Sequence, residues 1–161
     1  NLSAQELMDD DVLDQVERAL ATSGLPPERL HIEITESTMI SSPERVRHLL
    51  SRFRELGVRV AIDDFGTGYS SLAYLKDLPV DILKIDRSFV SASDEAERNA
   101  AILRAIVELG HSLDLKVTAE GIESETQLER LRDHGVEQAQ GFLLGRPMPA
   151  EDFLAWLRAR S

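Results

Sequence analysis

Acids and amides gather at the ends of the apolar segments of this chain: Glu33 and Glu36, Asp63 and Asp64, Lys84 with Asp86, Glu120 with Glu123, and Gln140. Each apolar segment reads as a strand. If the strands run parallel, their C-terminal ends share one mouth. A ring of carboxylates with one lysine and one amide suits oxygen-ligated divalent cations acting on a phosphate ester.

Asp63-Asp64 is the sharpest local feature. It follows the mostly apolar run Val58-Arg59-Val60-Ala61-Ile62, and two adjacent acids repel each other unless a positive charge stands nearby. One divalent cation, or a bridging pair, relieves that repulsion. The bland alternative is an aspartate that caps the next turn. Glu33 shares a face with His31 and Thr35 in the alternating segment 30–35, opposite Ile32 and Ile34, so in a barrel it faces the axis. On a solvated edge strand it would do nothing. Glu36, at the end of that segment, either binds metal or anchors the nearby glycine loop through backbone N–H groups.

Lys84 lies inside Ile82-Leu83-Lys84-Ile85, where burial is costly without a partner acid. It could orient a water, neutralise phosphate charge, or carry a proton if its pKa is depressed; a plain ion pair with Asp86 is the structural alternative. Glu120 is followed by Gly121, which lets the backbone turn close to a ligand. Glu123 fits a first helical turn as well as a site. Gln140, before Gly141, can donate to a phosphate or accept from a bound water. The loop Phe65-Gly66-Thr67-Gly68-Tyr69-Ser70-Ser71 matches neither phosphate-binding glycine fingerprint and reads as a strand-to-helix loop, with a lid as its possible role. His31, His48, His111 and His134 lack ligand spacing and read as surface or packing residues.

Behind these residues the pattern alternates. Helices are expected over 5–22, from Ser42-Pro43 to Gly57, over 72–77, 95–113 and 150–160, with another opened by the capping box Ser124-Glu125-Thr126-Gln127. Strands are expected over 30–35, 58–62, 82–85, 115–119 and 138–142. Phe153 and Trp156 on the last helix are expected to pack on the barrel wall. This is an α/β pattern of parallel units, either an open doubly wound sheet or a partial (β/α)8 barrel lacking its first strands. A whole barrel needs about 250 residues, so with 161 present the expectation is that 1–161 forms the C-terminal two-thirds of one domain.

The formal net charge of −11 opposes binding to a nucleic-acid polymer, although a bound metal can reverse the local field for a small anion. With no cysteine, disulfides, thiolate zinc and cysteine nucleophiles are excluded. A cytoplasmic domain fits, in a protein that could be tethered to a membrane.

The blocks Asn1-Leu2-Ser3, Glu33-Ile34-Thr35-Glu36, Asp63 to Ser71, Lys84-Ile85-Asp86, Ala119-Glu120-Gly121-Ile122-Glu123, Gln140-Gly141-Phe142 and Gly145-Arg146-Pro147 resemble the EAL domain family of cyclic di-GMP phosphodiesterases. The resemblance implies a TIM-like barrel with one antiparallel strand, two Mg²⁺ or Mn²⁺ ions at its C-terminal mouth, and hydrolysis of cyclic di-GMP to linear pGpG. It implies metal ligation by Asn1, Glu33, Asp63, Asp64 and Glu120. It gives Lys84, Glu120, Gln140 and Asp64 catalytic roles, Asp86, Gln140, Arg146 and Pro147 contact with substrate, and Glu36 and Glu123 the anchoring of the loop. It further implies pairing of two copies through 65–77, and regulatory or GGDEF domains elsewhere in the protein. The Glu-Ala-Leu segment that names the family is not in this chain, so the chain alone is expected not to turn over. A cyclic di-GMP receptor or interaction module without hydrolysis is the alternative. An enolase-like barrel with a lysine base fits the paired aspartates poorly.

Overall fold

The computed structural model describes residues 1–9, 11–67, 75–90 and 96–160, without the side chains of 40, 41, 96 and 97. Five strands, β1 (His31–Thr35), β2 (Arg59–Phe65), β3 (Ile82–Ile85), β4 (Lys116–Ala119) and β5 (Gln138–Ala139), make one sheet. All neighbours are parallel, and spatial order follows chain order. A doubly wound sheet requires a point where that order reverses. Among the described strands none occurs, and right-handed crossovers in unbroken chain order keep to one face, so the sheet is an arc of a barrel.

The two faces follow from side-chain alternation. Ile32 and Ile34, Val60 and Ile62, Leu83 and Ile85, and Val117 and Ala119 are buried on the outer face. There they join Val46, Leu50 and Phe53 of α3 (Pro43–Glu55) and Leu103, Ile106 and Val107 of α4 (Ala96–Ser112) in one core. The other face carries Glu33, Ala61, Ile82, Lys84, Thr118 and Gln138, matched across the sheet by the pairings Glu33–Ala61, Ala61–Ile82, Lys84–Thr118 and Thr118–Gln138. Thr118 donates its hydroxyl to Gln138 Oε1 at 3.0 Å on this face.

Several boundaries differ from the sequence reading for local reasons. The first helix is split. A 3-10 turn covers Glu6–Met8 and α1 runs Val12–Ser23, because the Ser3 and Asp9 side chains accept from the nearby backbone N–H groups of Glu6 and Asp11 instead of leaving them to a continuous helix. Ser42 makes no capping bond from its side chain, and Pro43 alone marks the start of α3. A further helix, α2 (Glu36–Ser41), has no cap and is too short to show a period. The capping box that opens α5 (Glu125–Asp133) is complete: Ser124 accepts from Gln127 N–H, and Gln127 reaches back. β5 spans two residues, not five.

The terminal helix α6 (Ala150–Arg158) buries no residue. Phe153 stacks on Trp156 with centroids 5.8 Å apart, and the Arg160 guanidinium lies 4.0 Å over the Trp156 ring. These aromatics therefore pack on each other and beside Gly145, not on the barrel wall. Residues 72–74 of the expected helix 72–77, and most of the expected pairing region 65–77, lie outside the described residues; of the remainder of that helix, Leu75 is helical and 76–77 form a turn. Among the described residues no helix is long and apolar enough to cross a membrane.

Candidate active site

The inner-face polar groups meet on Lys84. Its ammonium stands 2.7 Å from Glu33 Oε1, 3.1 Å from Asp63 Oδ1 and 2.5 Å from Glu120 Oε1. Those carboxylates come from β1, β2 and the residue after β4, so four chain segments converge on one atom. The lysine side chain is 6% exposed, while the three acids keep 16–25% exposure toward the mouth. Burial alone would lower the Lys84 pKa, but hydrogen bonds to Glu120, Glu33 and Asp63 outweigh it and push the pKa above its ordinary value. The proton-carrying role that a depressed pKa would allow is therefore not available in this arrangement.

One ammonium cannot satisfy the acids around it. Burial raises the Glu120 pKa, Lys84 opposes the shift, and the charges of Asp63 and Glu33 add to it. The Asp64 pKa is raised too, by burial and by the charges of Asp63 and Asp86 against Lys84. With Glu33, Asp63, Asp64 and Glu120 ionised, four negative charges face one positive charge.

A bulge puts both aspartates here. Ile62 pairs with Leu83 and Phe65 with Ile85, so β2 spends one residue more than β3 over this stretch. Asp64 takes up the extra residue in a left-handed conformation, φ 56°, which aspartate tolerates better than most side chains. Its N–H donates to Asp63 Oδ1 at 3.1 Å, and its carbonyl accepts the Thr67 hydroxyl at 2.8 Å. Beyond it, Gly66 has φ 95°, and a Cβ there would stand 2.9 Å from Phe89 Cε2 and 3.0 Å from Ile106 Cδ1. Gly66 N–H donates to Glu36 Oε2 at 3.1 Å, and Glu36 is buried at the start of α2. Only part of the loop, to Thr67, lies within the described residues.

The remaining expected residues are placed less uniformly. Leu2 N–H donates to Glu33 O at 2.8 Å, which seats the first residues along β1 with Asn1 next to them, exposed. Asp86 accepts Ser88 N–H at 3.0 Å at the 3-10 turn Arg87–Phe89. Burial works against its ionisation, but the Ser88 and Arg87 hydrogen bonds lower its pKa overall. Gln140 is tied by its backbone to Ala119 and Ile122, with its side chain exposed. It borders a depression that also holds Arg146, Pro147, Phe142 and Phe153, and the Arg146 guanidinium lies 4.6 Å over the Phe142 ring. Phe142 is half exposed, and an aromatic next to a glycine carries no site signal in sequence.

Glu123, expected beside Glu36 as a loop anchor, is exposed. Its N–H donates to Gln127 Oε1, and among the described residues its carboxylate has no hydrogen-bond partner. Gly121 sits in a close packing contact: a Cβ there would lie 2.4 Å from Arg87 Cβ.

The donors toward a cation are all oxygen, the set suited to Mg²⁺ or Mn²⁺. Among the described residues no three acids or histidines stand ready as they are to hold a metal ion, and the Lys84 ammonium sits at their point of convergence. The uncompensated charge fits cations. The geometry is that of the ammonium-bound state.

The family model described as EAL domain matches residues 1–147. The chain is 48% identical over 155 residues to the bifunctional diguanylate cyclase/cyclic di-GMP phosphodiesterase MucR of Pseudomonas aeruginosa, covering 96% of this chain and 23% of that protein. It is 44% identical over 159 residues to the cyclic di-GMP phosphodiesterase NbdA of the same organism, covering 99% and 20%. The chain thus spans about a fifth to a quarter of these relatives. Among solved structures, a MucR phosphodiesterase in complex with c-di-GMP superposes with a TM-score of 0.89 at 47% identity, over 95% of this chain and 62% of that one. The EAL domain of Mycobacterium smegmatis DcpA superposes with a TM-score of 0.91 at 41% identity, over 99% and 71%.

Proposed function

Because the chain belongs to the EAL domain family, we propose that it supplies the carboxylate rim of a divalent-metal-dependent phosphodiesterase that opens cyclic di-GMP to linear pGpG. The observation that carries this reading is the convergence of Glu33 on β1, Asp63 on β2 and Glu120 just after β4 on one buried point. An acidic ring aimed at a doubly anionic substrate makes chemical sense only if cations stand between them. The names of MucR and NbdA, which specify cyclic di-GMP phosphodiesterases, supply the substrate.

Asn1, Glu33, Asp63, Asp64 and Glu120 would hold two Mg²⁺ or Mn²⁺ ions, which when bound neutralise phosphoryl charge and lower the pKa of an attacking water. Lys84, fixed on β3, places its positive charge beside the same centre and, released from one or more acids, can donate a hydrogen bond to the water or to phosphate. Gln140 orients the water from the far side of the mouth. Arg146, Pro147 and Asp86 border the substrate, with the Phe142 ring holding the guanidinium plane. Glu36 fixes the bulged loop through Gly66 and so fixes the direction in which Asp63 and Asp64 point.

The same reading takes 1–161 as part of one barrel whose remaining βα units pair with the open edges of β1 and β5 and cover the exposed Phe142, Leu144, Phe153 and Leu154. It also takes the domain to be cytoplasmic, joined to regulatory or GGDEF domains and paired through 65–77. The test is hydrolysis of cyclic di-GMP by the protein that carries this chain, followed by chromatography of the products. Linear pGpG is expected with Mg²⁺ or Mn²⁺. A chelator, Asp63→Asn or Glu120→Gln should each remove at least about 99% of the rate, the usual loss when a charge-stabilising group is taken from a reaction centre. Full activity in a chelator would refute the metal role. Tight binding without turnover would make the domain a receptor.

A further inference from the structure

The three acids do not merely surround Lys84. They spend on it the oxygens that a cation would need: Glu33 Oε1, Asp63 Oδ1 and Glu120 Oε1 all point at Nζ. An ammonium donates to oxygen neighbours at about 2.7–2.9 Å, whereas Mg²⁺ draws them to about 2.1 Å. The two cations cannot share that point. Nor can the carboxylates easily be left bare, because the strand ends are fixed by the sheet and the acids would repel at close range.

We propose that Lys84 is the resident counter-ion of the metal-free site, and that divalent metal enters by exchange, taking carboxylate oxygens from the ammonium as it loads. This rests on the metal-dependent reading above and adds a cost to loading. The ammonium holds β1, β2 and the end of β4 in register when metal is scarce, and every loading event must break ion pairs to it. The lysine therefore acts on the metal as a positioning and competing residue. Its release is also what frees its three donors to face the reaction centre. Loading and arming of Lys84 then become one event. Direct support of metal by this lysine, through a shared water for example, predicts the opposite sign when it is removed.

The experiment measures metal without substrate. The protein that carries this chain, as wild type and as Lys84→Met, is titrated with Mg²⁺ and Mn²⁺ by calorimetry, and its unfolding midpoint is read in chelator and in saturating metal. Removing the competitor should tighten metal binding about tenfold or more, one resident charge at a shared point being worth at least that factor. It should also lower the midpoint in chelator and enlarge the rise on adding metal. Binding that is unchanged or weaker in a folded Lys84→Met overturns the exchange, and so does failure of both proteins to bind metal. A variant that folds only when metal is present supports it. If Lys84→Met folds under neither condition, wild type labelled with ¹⁵N-lysine decides: the Lys84 ammonium resonance must shift along the metal-binding curve, and a resonance unmoved at saturation overturns the exchange. Exchange without cyclic di-GMP hydrolysis would refute the phosphodiesterase reading and leave this one standing.

Discussion

Glu36→Ala tests whether the paired aspartates are aimed by an anchor outside the metal set. Glu36 is 3% exposed, and its Oε2 accepts the Gly66 N–H at 3.1 Å. Gly66 is two residues beyond Asp64, and its φ of 95° and the nearby Phe89 and Ile106 side chains leave no room for a Cβ there. Hydrogen bonds to charged groups contribute about 1.5–3 kcal/mol, and truncation leaves a part-buried donor unmet at up to a similar cost. The released desolvation of the carboxylate offsets part of this, so a net loss of about 2 kcal/mol is expected. For a domain of this size that lowers the unfolding midpoint by about 4–8 °C. Locally, the Gly66 amide should exchange with solvent about 30-fold faster, the factor that corresponds to 2 kcal/mol. Glu36→Gln keeps an acceptor and loses its charge, so it should fall between wild type and Glu36→Ala. Hydrogen exchange read by mass spectrometry or NMR on peptides containing residues 63–67 measures this directly. Unchanged exchange at Gly66 in a folded Glu36→Ala protein would refute the anchoring role. So would a metal affinity that falls in the variant while that amide stays fully protected.

Two further substitutions probe the frame that holds the site. A Cβ at Gly141 would stand 2.2 Å from both the nitrogen and the oxygen of Ile122, backbone atoms that cannot swing aside. Gly141→Ala should therefore cost about 3 kcal/mol or more, at or beyond the usual range for overpacking, and move Gln140; a denaturation midpoint within error of wild type would show the contact to be soft. Ser124→Ala removes one half of the capping box of α5 and should cost about 1 kcal/mol, a drop of about 2–4 °C in midpoint with metal affinity unchanged. Equal midpoints would show that the helix end is held by its packing alone.

Residue patterning reveals most of the sheet because each strand is marked by alternation or by a short apolar run with a polar residue at its end. Ile82–Ile85 is legible to the residue, since Lys84 stands out in an otherwise apolar run and Asp86 ends it. The convergence of Glu33, Asp63, Glu120 and Lys84 is legible for the same reason: parallel strands in chain order leave one end for all four. The bulge is not legible. Nothing in Ile62-Asp63-Asp64-Phe65 announces that β2 continues past its acids with an extra residue, because the shift is set by pairing with β3, which starts at Ile82, 17 residues after β2 ends at Phe65. The split of the first helix and the short α2 are hidden for a different reason. Ser3, Asp9 and Thr35 bond locally, Thr35 to the hydroxyls of Ser37 and Thr38, and local bonding overrides a weak helical period. The separation of Glu36 from Glu123 also depends on three dimensions: both lie near strand ends, but only Glu36 is folded inward beneath the loop.

The position of Lys84 explains how a site with four acids can fold. Four acids on neighbouring strand ends oppose sheet formation, since folding brings together charges that the unfolded chain keeps apart. A lysine in the middle strand offsets part of that repulsion wherever the sheet forms in its native register, because only that register sets Glu33 on β1 and Asp63 on β2 against Nζ on β3. A slip of one residue would turn the lysine to the apolar face under the helices and leave the acids unpaired. The charge therefore selects the register as well as neutralising it. Because the ammonium carries one unit against four, the selection leaves the folded site still short of positive charge.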